Sequence, residues 1–295
     1  VTIITIMDND SEEIKDLKGL KIRRMSREEA EFAIEMAAAE GWNPGIHDGE
    51  LFYEADPEGF FIAELEGKPV GCASAVAYDN EFGFLGLYVV KPEFQKKGIG
   101  MKLTEKCLEY MGDRNIGLDG VVENEIKYQK VMKFRSSYSN LRYEGRGGGE
   151  IPDGLVKISK APFEKLLEYD RRMFPAPRPG FLKKWVTQPD SYSFAALKAG
   201  DLKGYGVIRK CRVGYKIGPL FADDLDTAEK IFRALKASVP EGTIYLDVPE
   251  PNEKAMGIAK KYHMNVMFKT IRMYSRKEPD IELDKVYGVT SFELG

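Results

Sequence analysis

Apolar positions along the chain recur with two periods, one suited to strands and one to helices. The clearest case is 84–111, FLGLYVVKPEFQKKGIGMKLTEKCLEYM. Residues 84–90 are apolar, aromatic or β-branched and carry no charge, which predicts a strand buried on both faces. Pro92 lacks the N–H that a ladder needs, so the strand ends at Lys91-Pro92. Beyond a glycine-containing loop, Ile99, Leu103, Cys107, Leu108 and Met111 recur at helical spacing.

Upstream, 8–19 is a polar lead-in and 21–25 a short strand. Ser26 followed by Glu29 predicts a capping box, ahead of a helix that is apolar at Phe32, Ala33, Met36 and Ala37 and stops at Gly41. A rigid turn with Trp42 follows. Residues 60–65 and 70–78 read as a hairpin that the strand at 84–90 extends. Downstream, 116–121 is a strand and 123–132 a short helix, and 138–144 is expected to close the unit.

Between 145 and 154, six of ten positions are Gly or Pro, which predicts a flexible linker. After it the elements return in the same order: a strand near Val156, a helix over 162–173 and a hairpin around 199–204. Gly86-Leu87 recurs as Gly218-Pro219-Leu220. Leu118-Asp119 with Asn124 recurs as Leu246-Asp247 with Asn252, and Arg142-Tyr143 as Arg272-Met273-Tyr274. Three matches in order, together with the hairpin, indicate a duplicated fold.

The chain has 295 residues, enough for two domains that each bury a core. No apolar run approaches the ~20 residues of a membrane span, and no signal peptide is expected. The apolar segment 1–7 is too short for one and reads as a strand or as a foreign remnant. Cys72, Cys107 and Cys211 lack metal spacing and sit among apolar residues, as reduced thiols of a cytoplasmic protein would. His47 and His263 have no ligand-spaced partners, so no metal is expected. A net charge of −3 argues against a nucleic-acid surface.

The loop at 95–100 carries the chemistry. The first amides of a helix lack intrahelical acceptors, so a loop that opens a helix is a ready anion site. Gly98 and Gly100 remove the Cβ atoms that would hold a phosphate off the backbone, and Lys96, Lys97 and Lys102 add positive charge. These features predict a diphosphate cradle. It is not a dinucleotide fingerprint, because Leu103 stands at the third glycine position, nor a P-loop, because Met101 follows Gly100. In the second half the matching loop is Phe221-Ala222-Asp223-Asp224-Leu225-Asp226, whose acids would repel a diphosphate and suit helix capping.

Gln95, Gly98 and Gly100, set between a buried strand and an amphipathic helix, resemble the acyl-CoA loop of the GNAT N-acetyltransferase superfamily, [QR]-x-x-G-x-[GA]. Three further stretches resemble the YitH-type subgroup, a GNAT domain followed by a degenerate GNAT-like domain. They are Trp42-Asn43-Pro44-Gly45, the strand around Asp119, and 214–220. The resemblance covers nearly the whole chain. It implies an α/β fold with a mixed sheet of α+β character, built as tandem duplicated GNAT-like folds. The expected divisions are a lead-in at 1–19, a catalytic domain at 20–145, the linker at 146–154 and a degenerate domain at 155–295.

The resemblance also implies acetyl-CoA as co-substrate and a primary amine as acceptor. It implies that Leu87, Tyr88 and Val89 pair by backbone with the pantetheine arm. Gln95, Lys96, Lys97, Gly98, Ile99, Gly100 and Met101 would hold the pyrophosphate. Asn124 and Tyr128 match the family's N-x-x-x-Y segment, in which the Asn contacts the cofactor arm and the Tyr protonates the departing thiolate. The family's closing Y-x-x-x-G-F is one residue longer here and lacks the glycine.

Several residues have two readings. Tyr128 is the candidate acid or a half-buried aromatic. Asp119, in the middle of an apolar strand, is a catalytic or amine-binding carboxylate or a structural one, and its twin Asp247 favours the latter. Trp42 walls the acceptor pocket or packs in the core, and Asp79 is a weaker candidate for the acceptor site. Tyr169, Asp170, Arg171, Arg172, Arg178, Trp185 and Arg209 form surface ion pairs or shape the acceptor site. The expected activity is transfer of an acetyl group to a small amine by a monomer or homodimer, with no nucleic-acid or membrane partner. A non-catalytic acyl-CoA sensor and a protein N-acetyltransferase are the alternatives.

Overall fold

A computed structural model describes residues 18–295; the segment 1–7 and most of the expected lead-in lie outside the described residues. The first half contains β1 (Leu20–Arg24), α1 (Ala30–Ala39), α2 (Asp48–Ala55), β2 (Phe60–Leu65), β3 (Lys68–Ala77) and β4 (Phe82–Val90). It continues with α3 (Ile99–Met111), β5 (Asn115–Val121), α4 (Glu125–Val131) and β6 (Arg135–Arg146). The second half repeats the series as β7 (Leu155–Lys157), α5 (Phe163–Met173), α6 (Pro179–Trp185), β8 (Ser191–Lys198), β9 (Asp201–Lys210) and β10 (Tyr215–Ala222). Then come α7 (Leu225–Ala237), β11 (Thr243–Pro249), α8 (Glu253–Lys261), β12 (Asn265–Tyr274) and the additional β13 (Val286–Gly288).

The expected elements form, with local differences. Glu29 reaches back to the Ser26 amide (2.8 Å), but the Ser26 hydroxyl donates to Glu28 and leaves the helix amides alone. The short helices α2 and α6 are additions to the sequence reading.

All the strands join one mixed sheet in the order β1-β2-β3-β4-β5-β12-β6-β11-β10-β9-β8-β7, with β13 on β10. Read from both ends, this order is the same series twice, meeting at the β12–β6 seam. The strand expected to close the first half does not pair within that half. β6 pairs antiparallel with β11 and β12, and β12 pairs with β5. Each half thus gives its last strand to the other.

Buried ion pairs bridge the exchanged strands. Arg142 on β6 grips Asp247 on β11 through Nε and Nη2, both at 2.7 Å. Arg272 on β12 grips Asp119 on β5 at 2.7 and 2.6 Å. A third buried pair, Arg209 with Asp48, ties β9 to α2 (2.8 and 3.0 Å). Forked guanidinium–carboxylate pairing is directional, so these contacts hold the paired elements in register.

Packing repeats the point. One apolar core takes residues from α1 and α2 and from α5 and α6, including Phe52 stacked on Trp185 at 6.0 Å. On the opposite face α3 and α4 cover the first half, and α7 and α8 the second. The start of the glycine-rich segment is packed, while 149–151 and 153–154 are exposed. Gly147 N donates to Gly242 O (2.9 Å), and a Cβ on Gly147 would lie 1.9 Å from Val239 O. Close backbone approach is what the glycine permits there.

Candidate active site

The parallel strands β4 and β5 pair from Phe82↔Asn115 to Leu85↔Leu118 and then splay apart. On its other side β4 slips register against β3, with Cys72 opposite Val89 but Ser74 opposite Gly86. The extra residue bends the strand at Leu87, which has φ 45°. The splay opens a cleft and leaves the β4 edge after Leu85 without a ladder partner among the described residues. Unpaired strand amides and carbonyls beside a cleft suit an extended, amide-bearing ligand.

At the outer end of β4, Gln95 Nε2 donates to Val90 O (2.9 Å) and ties the loop to the strand. Lys96 and Gly98 adopt φ 63° and 82°, which turns the chain into α3. No side chain caps α3, and its first turn has no acid. Ile99 is buried, while Gly100 and Met101 are half-exposed. Lys97 Nζ donates to Glu93 O (2.8 Å) and lies over the Phe94 ring. The start of α3 thus combines an uncapped helix end, left-handed turns and no acid in the first turn, features that suit an anion.

Tyr128, on α4, reaches the inside of the cleft with only 4% of its surface exposed. Its hydroxyl has no hydrogen-bond partner among the described residues, and burial together with Tyr88 raises its pKa well above that of a free phenol. Gly120 makes room for the ring, because a Cβ there would sit 2.5 Å from Tyr128 Cε2. The missing family glycine is replaced by Lys133, which takes the left-handed φ of 61° itself. Phe134 N then donates back to Tyr128 O (3.2 Å), closing the helix as a glycine would. The longer ending does not turn Tyr128 away from the cleft. Asn124 is buried just before the helix.

Of the residues expected to bind the cofactor arm, Leu87 and Tyr88 line the cleft, and Val89 holds the bulge against Cys72. Trp42 lines it too, with its indole N–H unpartnered and its carbonyl accepting from Arg142 (3.0 Å). Asp119 lines the cleft, but Arg272 occupies both its oxygens and Asn140 also donates to Oδ1 (2.8 Å). Burial opposes the charge on Arg272, and Asp119 outweighs it, raising the guanidinium's pKa. The catalytic reading of Asp119 gives way to a structural one, shared with Asp247. Asp79 lies outside the cleft lining and accepts from the amides of Glu81 and Phe82, at 2.8 and 2.7 Å, as a turn-former.

The polar-aromatic set of the second half is also corrected. Arg178 is buried on Asp170, at 2.8 Å through both nitrogens, and Trp185 Nε1 donates to Gly218 O (3.0 Å). These are core contacts, not surface ion pairs. Arg172 alone keeps the expected surface role, on Glu282 (2.6 Å).

Sequence reasoning missed the far wall. Phe268 and Thr270 come from the exchanged strand β12, Arg142 from β6, and Phe292 and Glu293 from the last residues of the chain. The repeat of Arg142-Tyr143 as Arg272-Met273-Tyr274 was the available signal for the two strands. Nothing marked the tail.

The matching place in the second half is closed. β10 pairs with β11 from Tyr215↔Ile244 to Ile217↔Leu246 and then splays, but β13 fills the gap, with Leu220 opposite Gly288 and Phe221 opposite Val286. Asp224 caps α7 by accepting from Thr227 N (2.8 Å). Asp223 is held by Tyr169, Arg172, Lys203 and Lys285.

Family models match each half of the chain. Residues 25–129 match the Acetyltransferase (GNAT) family and residues 166–288 an Acetyltransferase (GNAT) domain. Holothin acyltransferase of Pseudoalteromonas sp. (strain SANK 73390) is 32% identical, over 92% of this chain and 92% of its own length. This chain belongs to the GNAT acyltransferase family. Among GNAT relatives, the uncharacterised N-acetyltransferase YitH of Bacillus subtilis is 22% identical over 92% of this chain and 97% of its own. A crystal structure from Pyrococcus horikoshii shares the fold with a TM-score of 0.81, 24% identity and coverage of 99% and 100% of the two chains. A tandem GNAT protein from the clavulanic acid biosynthesis pathway gives a TM-score of 0.62 at 14% identity, over 86% of this chain and 98% of its own. The GNAT fold thus accounts for both halves. Among the described residues no helix is long and apolar enough to cross a membrane, and no cluster of three His, Cys, Asp or Glu side chains is placed to hold a metal.

Proposed function

We propose that the first half binds acetyl-CoA and transfers its acetyl group to the amine of a small molecule, while the second half binds no CoA. The observation that carries this reading is the pairing of a splayed β4 edge with the uncapped start of α3 and the unpartnered Tyr128 hydroxyl between them. Acetyl-CoA supplies an activated thioester. The β4 edge around Leu87–Val89 would hold its extended arm, and the loop 95–101 with the α3 amides would hold its pyrophosphate. Backbone N–H groups at the bulge would polarise the thioester carbonyl.

The acceptor's nitrogen lone pair forms the new C–N bond as the C–S bond breaks, and the nitrogen sheds one proton to solvent, which returns a proton to Tyr128 after the step. The sulfur takes up a proton, for which Tyr128 is the donor. Burial keeps that phenol protonated, so its hydroxyl is available to donate to the sulfur as negative charge develops there. Walls contributed by both halves, including Phe268 and Phe292, favour a small acceptor over a polypeptide. A screen of small amines with acetyl-CoA, following thiol release, tests the reading. The expected result is amine-dependent release well above the rate of thioester hydrolysis. Release that no amine accelerates, with acetyl-CoA bound, would leave a non-catalytic binder instead.

A further inference from the structure

The segment 289–295 runs from the closed splay of the second half into the open cleft of the first. Val289 N donates to Asp247 O (2.9 Å), and the Tyr78 hydroxyl donates to Leu294 O (2.7 Å). Between these anchors the chain lies against β4 so closely that a Cβ on Gly86 would stand 2.1 Å from Glu293 O. Glu293 is 4% exposed, lines the cleft, and its Oε2 makes no hydrogen bond. A buried carboxylate oxygen without a donor is costly unless a ligand completes it.

The charges around Glu293 do not complete it. Arg142, Arg209 and Lys216 all feel its field. Arg142 directs its Nε and Nη2 to Asp247 and its Nη1 to Trp42 O, and Arg209 grips Asp48. Lys216 donates to Trp42 O (3.3 Å). The other charged residues of the lining, Asp119 and Arg142, are locked in their own pairs. The rest of the far wall is apolar, formed by Trp42, Met132, Phe268 and Phe292.

We infer that Glu293 receives the acceptor's amino group, and that the acceptor is a primary amine on an apolar body with no acidic group of its own. This rests on the acyl-transfer reading above. The carboxylate accepts the amine's N–H and orients its lone pair toward the β4 edge, while the aromatic walls take the body. An acceptor carrying a carboxylate would bury it among apolar walls, facing Glu293, with no unengaged cation in the cleft lining.

The test is calorimetric titration of the full chain, loaded with CoA so that no reaction occurs, with 2-phenylethylamine, 2-phenylethanol and phenylalanine. A hydrogen bond to a charged group is worth roughly 10- to 100-fold in affinity. The amine should bind the wild-type chain more tightly than the alcohol or the amino acid by that factor. Glu293→Gln should remove the preference for amine over alcohol while the CoA affinity stays at its wild-type value. The alcohol or phenylalanine binding as tightly as the amine, or Glu293→Gln retaining the amine preference, overturns the inference, and so does a wild-type chain that binds CoA but no amine. The wild-type comparison stands even if the variant fails to fold. Failure to bind CoA at all would instead remove the acyl-transfer reading itself.

Discussion

The helices α3 and α7 follow equivalent strands and have the same length, 13 residues, yet their first turns are opposites. α3 starts on Gly98 with no capping side chain and no acid; α7 starts on Asp224, which caps Thr227 N, with Asp226 in its first turn. The strands before them differ in the same sense. The splay of β4 from β5 is open, whereas β13 fills that of β10 from β11. One copy leaves its helix start uncapped and its strand edge unpaired, and the other satisfies both with its own chain. A duplicated fold need not duplicate a site, because a site of this type consists of groups left unsatisfied.

The largest way to break the comparison is at Tyr128, which has no counterpart hydroxyl in an open cleft of the second half. Tyr128→Phe keeps the ring and removes the proton donor, and should lower turnover by ~10²–10⁴-fold with little change in acetyl-CoA affinity. Steady-state rates and a binding titration on the same sample check it. An unchanged turnover, where chemistry limits the rate, strikes the residue from the mechanism.

Next is the exchange of strands. Arg272→Ala leaves Asp119 buried without its partner and should cost about 3–5 kcal/mol, as should Arg142→Ala through Asp247. Urea unfolding measures both. Similar losses in the two variants would show that the halves depend on each other equally. A negligible loss in either would mean that its pair does not hold the seam. The exchange also means that neither half is a self-sufficient unit, so tests of CoA binding belong on the whole chain.

Smaller effects sharpen the contrast between the helix ends. Asp224→Ala should destabilise by about 1 kcal/mol, the usual worth of an N-cap, with no effect on acetyl-CoA affinity. Lys133→Gly should stabilise by about 0.5–1 kcal/mol. It relieves a left-handed backbone at Lys133, less the added freedom of glycine in the unfolded chain. Thermal unfolding of the two variants should show shifts of opposite sign.

How much of this was legible in the sequence follows from how local each requirement is. The strand, turn, loop and helix at 84–111 could be read because each demand, from the absence of charge at 84–90 to the glycines at 98 and 100, falls on neighbouring residues. The duplication was legible for the same reason. The exchange was not, because Arg142 and Arg272 are equivalent, as are Asp119 and Asp247. Local chemistry is satisfied equally by pairing within a half or between halves. The same ambiguity made Asp119 look like a candidate base. The tail was hidden differently. Val286 to Gly288 is too short to show a period, and Glu293 looks like any lone acid until its burial against Gly86 is seen. Short helices such as α2, whose start at His47 carries no capping hydrogen bond, left no local signal.

The central claim is that one copy of the fold is open to acyl-CoA and the other is closed by its own residues. Calorimetric titration of the full chain with acetyl-CoA, alongside Gly100→Val, measures it directly. The account predicts one site per chain, lost or strongly weakened in Gly100→Val while the fold persists. Two sites per chain, or a single site that Gly100→Val leaves at wild-type affinity, would contradict it.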